Sequence, residues 1–174
     1  MARDLGRRFA RRWQVWLGVL VIAGAAISGL AEWLGLIGPP KEIVGRMRAV
    51  DGDSLVSGEH RIRLVGIDAP EGPQTCTRDG RAWPCGRVAT DALRTLIGRK
   101  TVRCRVERLD QHDRALAVCD VDGREINAEL VRSGHAIAFG RRYRDAERAA
   151  RNAKRGLWSG SYVPPQEWRR QNAR

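Results

Sequence analysis

The sequence predicts a small α+β domain set behind an N-terminal apolar segment. Three observations carry that expectation. Runs such as Arg61-Ile62-Arg63-Leu64-Val65 begin with polar–apolar alternation, the period of a half-buried strand. Other runs, such as Val88, Ala89, Ala92, Leu93, Leu96 and Ile97, space their apolar residues as one face of a helix. Residues 1–40 hold one long apolar run, whereas residues 41–174 hold most of the charge. At 174 residues, 43% apolar and 30% charged, the chain has the size and balance of a single globular domain. A wholly disordered chain, a collagen-like chain and a multi-span membrane protein are excluded. The split between the two parts also argues against a plain cytosolic enzyme.

Residues 1–12 form a basic N-terminus with Arg3, Arg7, Arg8, Arg11 and Arg12. Residues 13–37 read as a transmembrane anchor or a signal sequence. From Trp13 to Ala31 only Gln14 and Ser28 interrupt the apolar run. At roughly 1.5 Å per residue that run matches a bilayer's hydrocarbon core. The arginines precede it, so the positive-inside rule keeps the N-terminus in the cytoplasm and sends the rest across. Trp13, Trp16 and Trp33 bracket the segment as interfacial aromatics. Gly29-Leu30-Ala31 offers a cleavage site for the competing reading, a secreted protein. The length of the run favours a single-pass anchor in the inner membrane.

Residues 38–42 read as a linker around Gly38-Pro39-Pro40. From Ile43 to Asp68 the pattern is strand-like, turning at Asp51-Gly52-Asp53 and at Ser57-Gly58-Glu59. Ala69 to Pro84 reads as loop. Gly86 to Ile97 reads as a helix stopped by Gly98. Thr101–Leu109 and Ala115–Val121 read as an antiparallel pair. Asn127 is placed to cap a short helix that ends at Arg132 before Gly134. Ala136–Phe139 is a short apolar segment, and Asp145–Arg155 reads as a third helix. Pro164-Pro165 ends regular structure, leaving residues 161–174 as a basic tail. About five strands and three helices suit a small closed barrel or an open sheet covered by helices.

The cysteines agree with export. Cys76, Cys85, Cys104 and Cys119 contain no CxxC pair, so a zinc site has little support. Cys104 and Cys119 can face each other across the predicted hairpin. Cys76 and Cys85 close a short loop. Disulfides Cys76–Cys85 and Cys104–Cys119 are expected, in an oxidising compartment.

The formal net charge is +12, and of 32 basic residues only Lys41, Lys100 and Lys154 are lysines. Such a domain attracts polyanions. Arg141, Arg142 and Arg144 flank Tyr143, a pattern that suits tracking a nucleic-acid backbone. The acids point to different chemistry. Asp51 and Asp53 sit at one turn, and Asp68 and Glu71 where a later strand ends. Carboxylates with backbone carbonyls suit a hard divalent cation such as Ca²⁺. Arg63 and Arg114 lie near these segments, and guanidinium forks match phosphate oxygens. Arg63 stands five residues before Asp68, so an ideal strand puts the two on opposite faces. Only a bend or bulge would unite them.

Taken together, these segments resemble the thermonuclease family, the staphylococcal-nuclease-like domains. Asp51-Gly52-Asp53-Ser54 and Arg61 through Glu71 carry the first part of the resemblance. Asp110 to Ala117 looks like the family's second arginine motif. Ile126 to Gly134 looks like its following helix, and Ala153 to Trp158 like its closing segment. The resemblance covers residues 43–160. It implies a five-stranded OB-type barrel with about three helices, and Ca²⁺-dependent hydrolysis of phosphodiester bonds in DNA and RNA. By motif, Asp53 and Asp68 would bind the metal with the backbone carbonyl of Ala69, and Asp51 would stand in the outer shell. Glu71 would position or deprotonate the attacking water. Arg63 and Arg114 would hold the scissile phosphate. His112, Phe139 and Tyr143 are the candidates to stack on bases.

The departures from the family pattern are Ser54 and Ala69 in place of threonines, His112 for an aromatic, and Asp113 for a glycine. Asp113 is the one that bears on activity, because its charge could compete for Arg114. A non-catalytic module binding nucleic acid or acidic polysaccharide on the same fold is the alternative.

Overall fold

The computed structural model describes residues 41–173. The expected basic N-terminus, membrane segment and most of the linker lie outside the described residues. Among those described, no helix is long and apolar enough to cross a membrane.

The chain runs β1 (Glu42–Gly45), β2 (Arg48–Asp51), β3 (Ser54–Ser57), β4 (His60–Leu64), β5 (Ile67–Asp68), β6 (Cys76–Arg78) and β7 (Arg81–Trp83). Then come α1 (Cys85–Ile97), β8 (Val102–Leu109), β9 (Ala115–Val121), β10 (Arg124–Glu125) and α2 (Ile126–Arg132). The rest is β11 (Ile137–Ala138), α3 (Arg144–Asn152), a 3₁₀ turn (Gly156–Ser159) and α4 (Pro165–Asn172).

The main sheet has the order β1-β8-β9-β4-β3-β2, with β10 added beside β9. Only the β4–β9 pair is parallel. Its two edge strands, β1 and β2, are separated by just Arg46-Met47 in sequence. A flat sheet cannot place consecutive strands at opposite edges, so this one curls. Mixed α+β structure with a curled sheet is consistent with the OB-type architecture.

Leu55, Ile62 and Leu64 from the sheet, Leu93 and Ile97 from α1, and Leu130 from α2 fill the concave side, each at most 2% exposed. Removing such side chains from water contributes about 1.5–3 kcal/mol apiece. Asn127 is fully buried among them. It does not cap α2: Glu125 holds that position. Its amide instead accepts from Cys119 N at 3.1 Å and donates to Val65 O at 2.9 Å and Ala117 O at 3.2 Å. A buried amide with so many partners fixes β9 against the end of β4.

Two stretches differ from the sequence reading. Ala69–Pro84 contains the β6–β7 hairpin, whose central residues Asp79 and Gly80 both have positive φ (50° and 73°). That is the requirement of a two-residue type I′ turn, and Asp-Gly satisfies it. The tail is not irregular, because Pro165 occupies the first turn of α4. Proline is favoured there, since the N–H it lacks has no partner in a first turn. Both expected disulfides are present, Cys76–Cys85 and Cys104–Cys119, and the second joins directly paired residues of β8 and β9.

Candidate active site

Asp53 ends the turn between β2 and β3. Its N–H donates to Asp51 Oδ1 at 3.1 Å, and Ser54 Oγ donates to its Oδ1 at 3.0 Å. On the neighbouring strand Arg63 pairs in register with Ser54. This puts the Arg63 guanidinium against the Asp53 carboxylate, with Nη2 2.7 Å from Oδ2. Asp53 is 4% exposed. Burial pushes its carboxyl up to about 7, Arg63 pulls it back, and the charge of Asp51 adds to the rise.

Asp68 reaches the same guanidinium, its Oδ1 3.2 Å from Arg63 Nη2. The required bend lies at Gly66, between β4 and β5, where φ is +77°. L-residues rarely adopt that backbone. A Cβ there would also stand 2.9 Å from the Tyr143 ring. β11 then holds β5, pairing Ile137 with Asp68, and Phe139 N donates to Gly66 O at 2.8 Å.

Glu71 follows on a loop pinned by Gln74. Gln74 is fully buried. Its Oε1 accepts from Glu71 N at 3.2 Å, and its Nε2 donates to Val163 O at 2.7 Å. Gly86 lets this loop lie on the start of α1, since a Cβ there would overlap the Glu71 carbonyl. Sequence reasoning missed Gln74. An isolated glutamine in a loop carries no signal.

It also missed Arg169. From α4, Arg169 forks onto Asp68, Nη1 to Oδ1 at 3.0 Å and Nη2 to Oδ2 at 3.2 Å. The same Nη1 donates to Glu71 Oε1 at 2.7 Å. Asp53, Asp68 and Glu71 are therefore joined through two arginines. Ala69, directly after Asp68, is buried.

Arg114 stands at the start of β9 and is held by Asp110. Its Nε lies 2.8 Å and its Nη2 2.7 Å from Asp110 Oδ2. Asp110 Oδ1 accepts the N–H groups of His112 at 2.8 Å and Arg114 at 3.0 Å. Burial alone would raise the Asp110 carboxyl, but these donors and the Arg114 guanidinium outweigh it and hold it at about 2. Asp113, the expected competitor, is exposed, and Asp110 is the carboxylate that pairs with Arg114. Its φ of 57° shows it filling the left-handed turn that glycine would otherwise take.

A cleft of about 520 Å³ opens over this group. Arg63, Asp68, Arg114, His112 and Phe139 line it, together with Arg108, Gln166 and Arg169. Phe139 is 61% exposed and presents an open ring. Tyr143 does not belong with it. The ring is buried against Gly66 in the core, so it has no free face for a base.

The donor set suits a hard cation in part. Two oxygen-donor carboxylates, Asp53 and Asp68, converge on Arg63. Among the described residues no three acidic, histidine or cysteine side chains form a cage. Backbone oxygen and water would have to complete the shell, as in weak Ca²⁺ sites.

Comparison with known proteins agrees with this geometry. Residues 61–160 match the family model described as staphylococcal nuclease homologue. An uncharacterized endonuclease of Escherichia coli O157:H7 is 36% identical over 140 residues, covering 74% of this chain and 86% of the relative. The probable staphylococcal-like nuclease CAN3 of Oryza sativa subsp. japonica is 36% identical over 130 residues, 70% of this chain and 32% of that one. Succinoglycan biosynthesis protein ExoI of Rhizobium meliloti (strain 1021) is 28% identical over 128 residues, 70% of this chain and 67% of its own. The chain belongs to the staphylococcal nuclease homologue family.

Proposed function

We propose that this protein is a Ca²⁺-dependent nuclease that hydrolyses phosphodiester bonds of DNA, RNA or both outside the cytoplasm, held to the inner membrane by residues 13–37. The observation that carries the chemistry is the meeting of Asp53 and Asp68 on Arg63, with Glu71 beside them and Arg114 across the same cleft. Asp53 and Asp68, with the carbonyl of Ala69, would hold the cation, and Asp51 supports Asp53 from behind. Lewis-acid polarisation of a phosphoryl oxygen is the chemistry such an ion supplies when bound. Arg63 and Arg114 place preorganised positive charge where the phosphate gains negative charge. Glu71 accepts or orients the proton of the attacking water. His112 and the open ring of Phe139 give bases a surface to stack on. Support for an oxidising compartment comes from the two disulfides.

The test follows cleavage of labelled single-stranded DNA and RNA by the full-length chain, with Ca²⁺ and with chelator. Cleavage should require the metal, and Arg63→Ala should abolish it. Glu71→Gln should lower kcat at least ~100-fold, the usual scale of general-base loss, with KM nearly unchanged. Chelator-insensitive cleavage would remove the metal from the mechanism. Salt-dependent binding without cleavage would favour a polyanion-binding module instead, a reading to which a relative named for succinoglycan biosynthesis lends some weight.

A further inference from the structure

The C-terminal helix α4 lies beyond the residues that match the family model, yet it supplies a side chain to the centre of the site. Arg169 engages both oxygens of Asp68 and one oxygen of Glu71. Arg63 also takes Oδ1 of Asp68. With both oxygens of this carboxylate in use, and Asp53 tied to Arg63, the acids already have cationic partners. A divalent ion on Asp68 would sit about 2.3–2.6 Å from an oxygen that Arg169 now contacts. Charges of the same sign repel at that range, so each weakens the other's hold on Asp68. We infer that Arg169 is a built-in counter-ion that competes with a divalent cation for Asp68 and Glu71, so that cation binding and release of α4 are coupled.

The inference rests on Asp53 and Asp68 being cation ligands. Its second support is how α4 is held. The helix is eight residues long, too short to persist alone. Its entry is fixed: Thr77 and Ser161 exchange backbone hydrogen bonds at 2.9 Å, Gln74 holds Val163 O, and Pro165 is buried. Among the described residues, the hydrogen bonds from the helix proper to the rest of the domain all come from Arg169. Neighbouring Arg170 is exposed. Removing Arg169 from the carboxylates therefore breaks these hydrogen bonds and leaves the helix to the packing of Pro165 and half-buried Trp168, while its entry stays anchored. The same movement frees Glu71 to act on water and opens the wall of the cleft that Gln166 and Arg169 form.

The test titrates Ca²⁺ alone into the full-length chain by calorimetry, comparing wild type with Arg169→Gln and Arg170→Gln. Both variants remove one positive charge from the same helix, but only the first removes the counter-ion. Ca²⁺ should bind Arg169→Gln at least ~5-fold more tightly, the lower end of a typical coupling, and Arg170→Gln within ~2-fold of wild type. Arg169→Lys, which keeps the charge and loses the fork, should fall between. In the unmodified protein, Ca²⁺ should speed hydrogen exchange at the amides of α4, a readout independent of whether any variant folds. Equal affinities in all proteins, with α4 exchange unchanged by Ca²⁺, would overturn the counter-ion role and leave the metal site standing. No Ca²⁺ binding in any of them would overturn both.

Discussion

Asp53 sits where almost no water reaches it. Its raised pKa has a sign that can be followed through pH. The unfolded carboxyl ionises near its ordinary value of 3.8, while the folded one holds its proton to about 7. Between those values the unfolded chain binds fewer protons, so this group's contribution to stability falls as pH rises. Asn has no such dependence. Without metal, wild type should therefore lose Tm relative to Asp53→Asn on going from pH 4 to pH 7.5, measured by thermal melts of both proteins. A constant difference would mean that Asp53 is ionised throughout. The role of Asp110 is the opposite one. Its low pKa reflects backbone donors and the guanidinium that fix this carboxylate, which in turn orients Arg114, so Asp110→Asn should reduce kcat at least ~10-fold while leaving the fold intact, since it loosens a phosphate-binding group rather than the core. Circular dichroism and single-turnover cleavage separate the two effects. The DGD turn, Arg63, Asp68 and Glu71 were legible because each lies in a motif. Asp110 was read as part of a motif without its role, since only the folded turn aims its two oxygens at backbone donors. Tyr143 was misread because an aromatic beside arginines looks the same in sequence whether it faces base or core.

At the scale of elements, the sequence pattern found the longer strands of the curled sheet and the helices α1, α2 and α3. It missed what punctuation encodes. Asp79-Gly80 is a hairpin turn signal, yet its flanks, Thr77-Arg78 and Arg81-Ala82, lack apolar alternation. Pro164-Pro165 signals a stop and equally a start, and Glu167 early with Arg169 and Arg170 late already matched the dipole of a helix beginning there. The bend between β4 and β5 could be required but not located, because only packing shows that Gly66 alone fits. Gly66→Ala should cost about 1–2 kcal/mol from the left-handed backbone alone, with more from the nearby Tyr143 ring. Because the bend unites Arg63 with Asp68, activity should fall further than stability does. Chemical denaturation alongside initial rates tests that ordering, and a fully active Gly66→Ala would contradict it. Asn127→Ala, by contrast, takes a partner from the buried Cys119 N–H and from the Val65 carbonyl, at a cost of about 1–3 kcal/mol for each group left without one, while Ala117 O keeps the Val65 N–H.

For the whole molecule, the site is a convergence of distant segments, and the two disulfides constrain it differently. Cys104–Cys119 crosses the β8–β9 pair in the core, closing a loop with a sequence separation of 15. By the chain-entropy relation that is worth about 3 kcal/mol, all of it global. Cys76–Cys85 is more local. It ties the β6–β7 hairpin to the start of α1, and the hairpin in turn bridges Thr77 to Ser161, just ahead of α4. A tether therefore runs from Cys85 through the hairpin to the helix that carries Arg169. Replacing Cys104 and Cys119 with alanine should lower Tm and shift the denaturation midpoint, while α4 stays as protected, relative to the rest of the domain, as in wild type. Replacing Cys76 and Cys85 with alanine should lower Tm less and act on the site. Hydrogen exchange in α4 should speed up without metal, because the entry to the helix has lost one of its anchors. Exchange mass spectrometry of both double variants distinguishes these outcomes. If α4 exchanged at the wild-type rate in the Cys76/Cys85 variant, the helix would be held by Gln74 and Arg169 alone. The hairpin would then be a separate, purely stabilising feature rather than the support on which the C-terminal wall of the cleft rests.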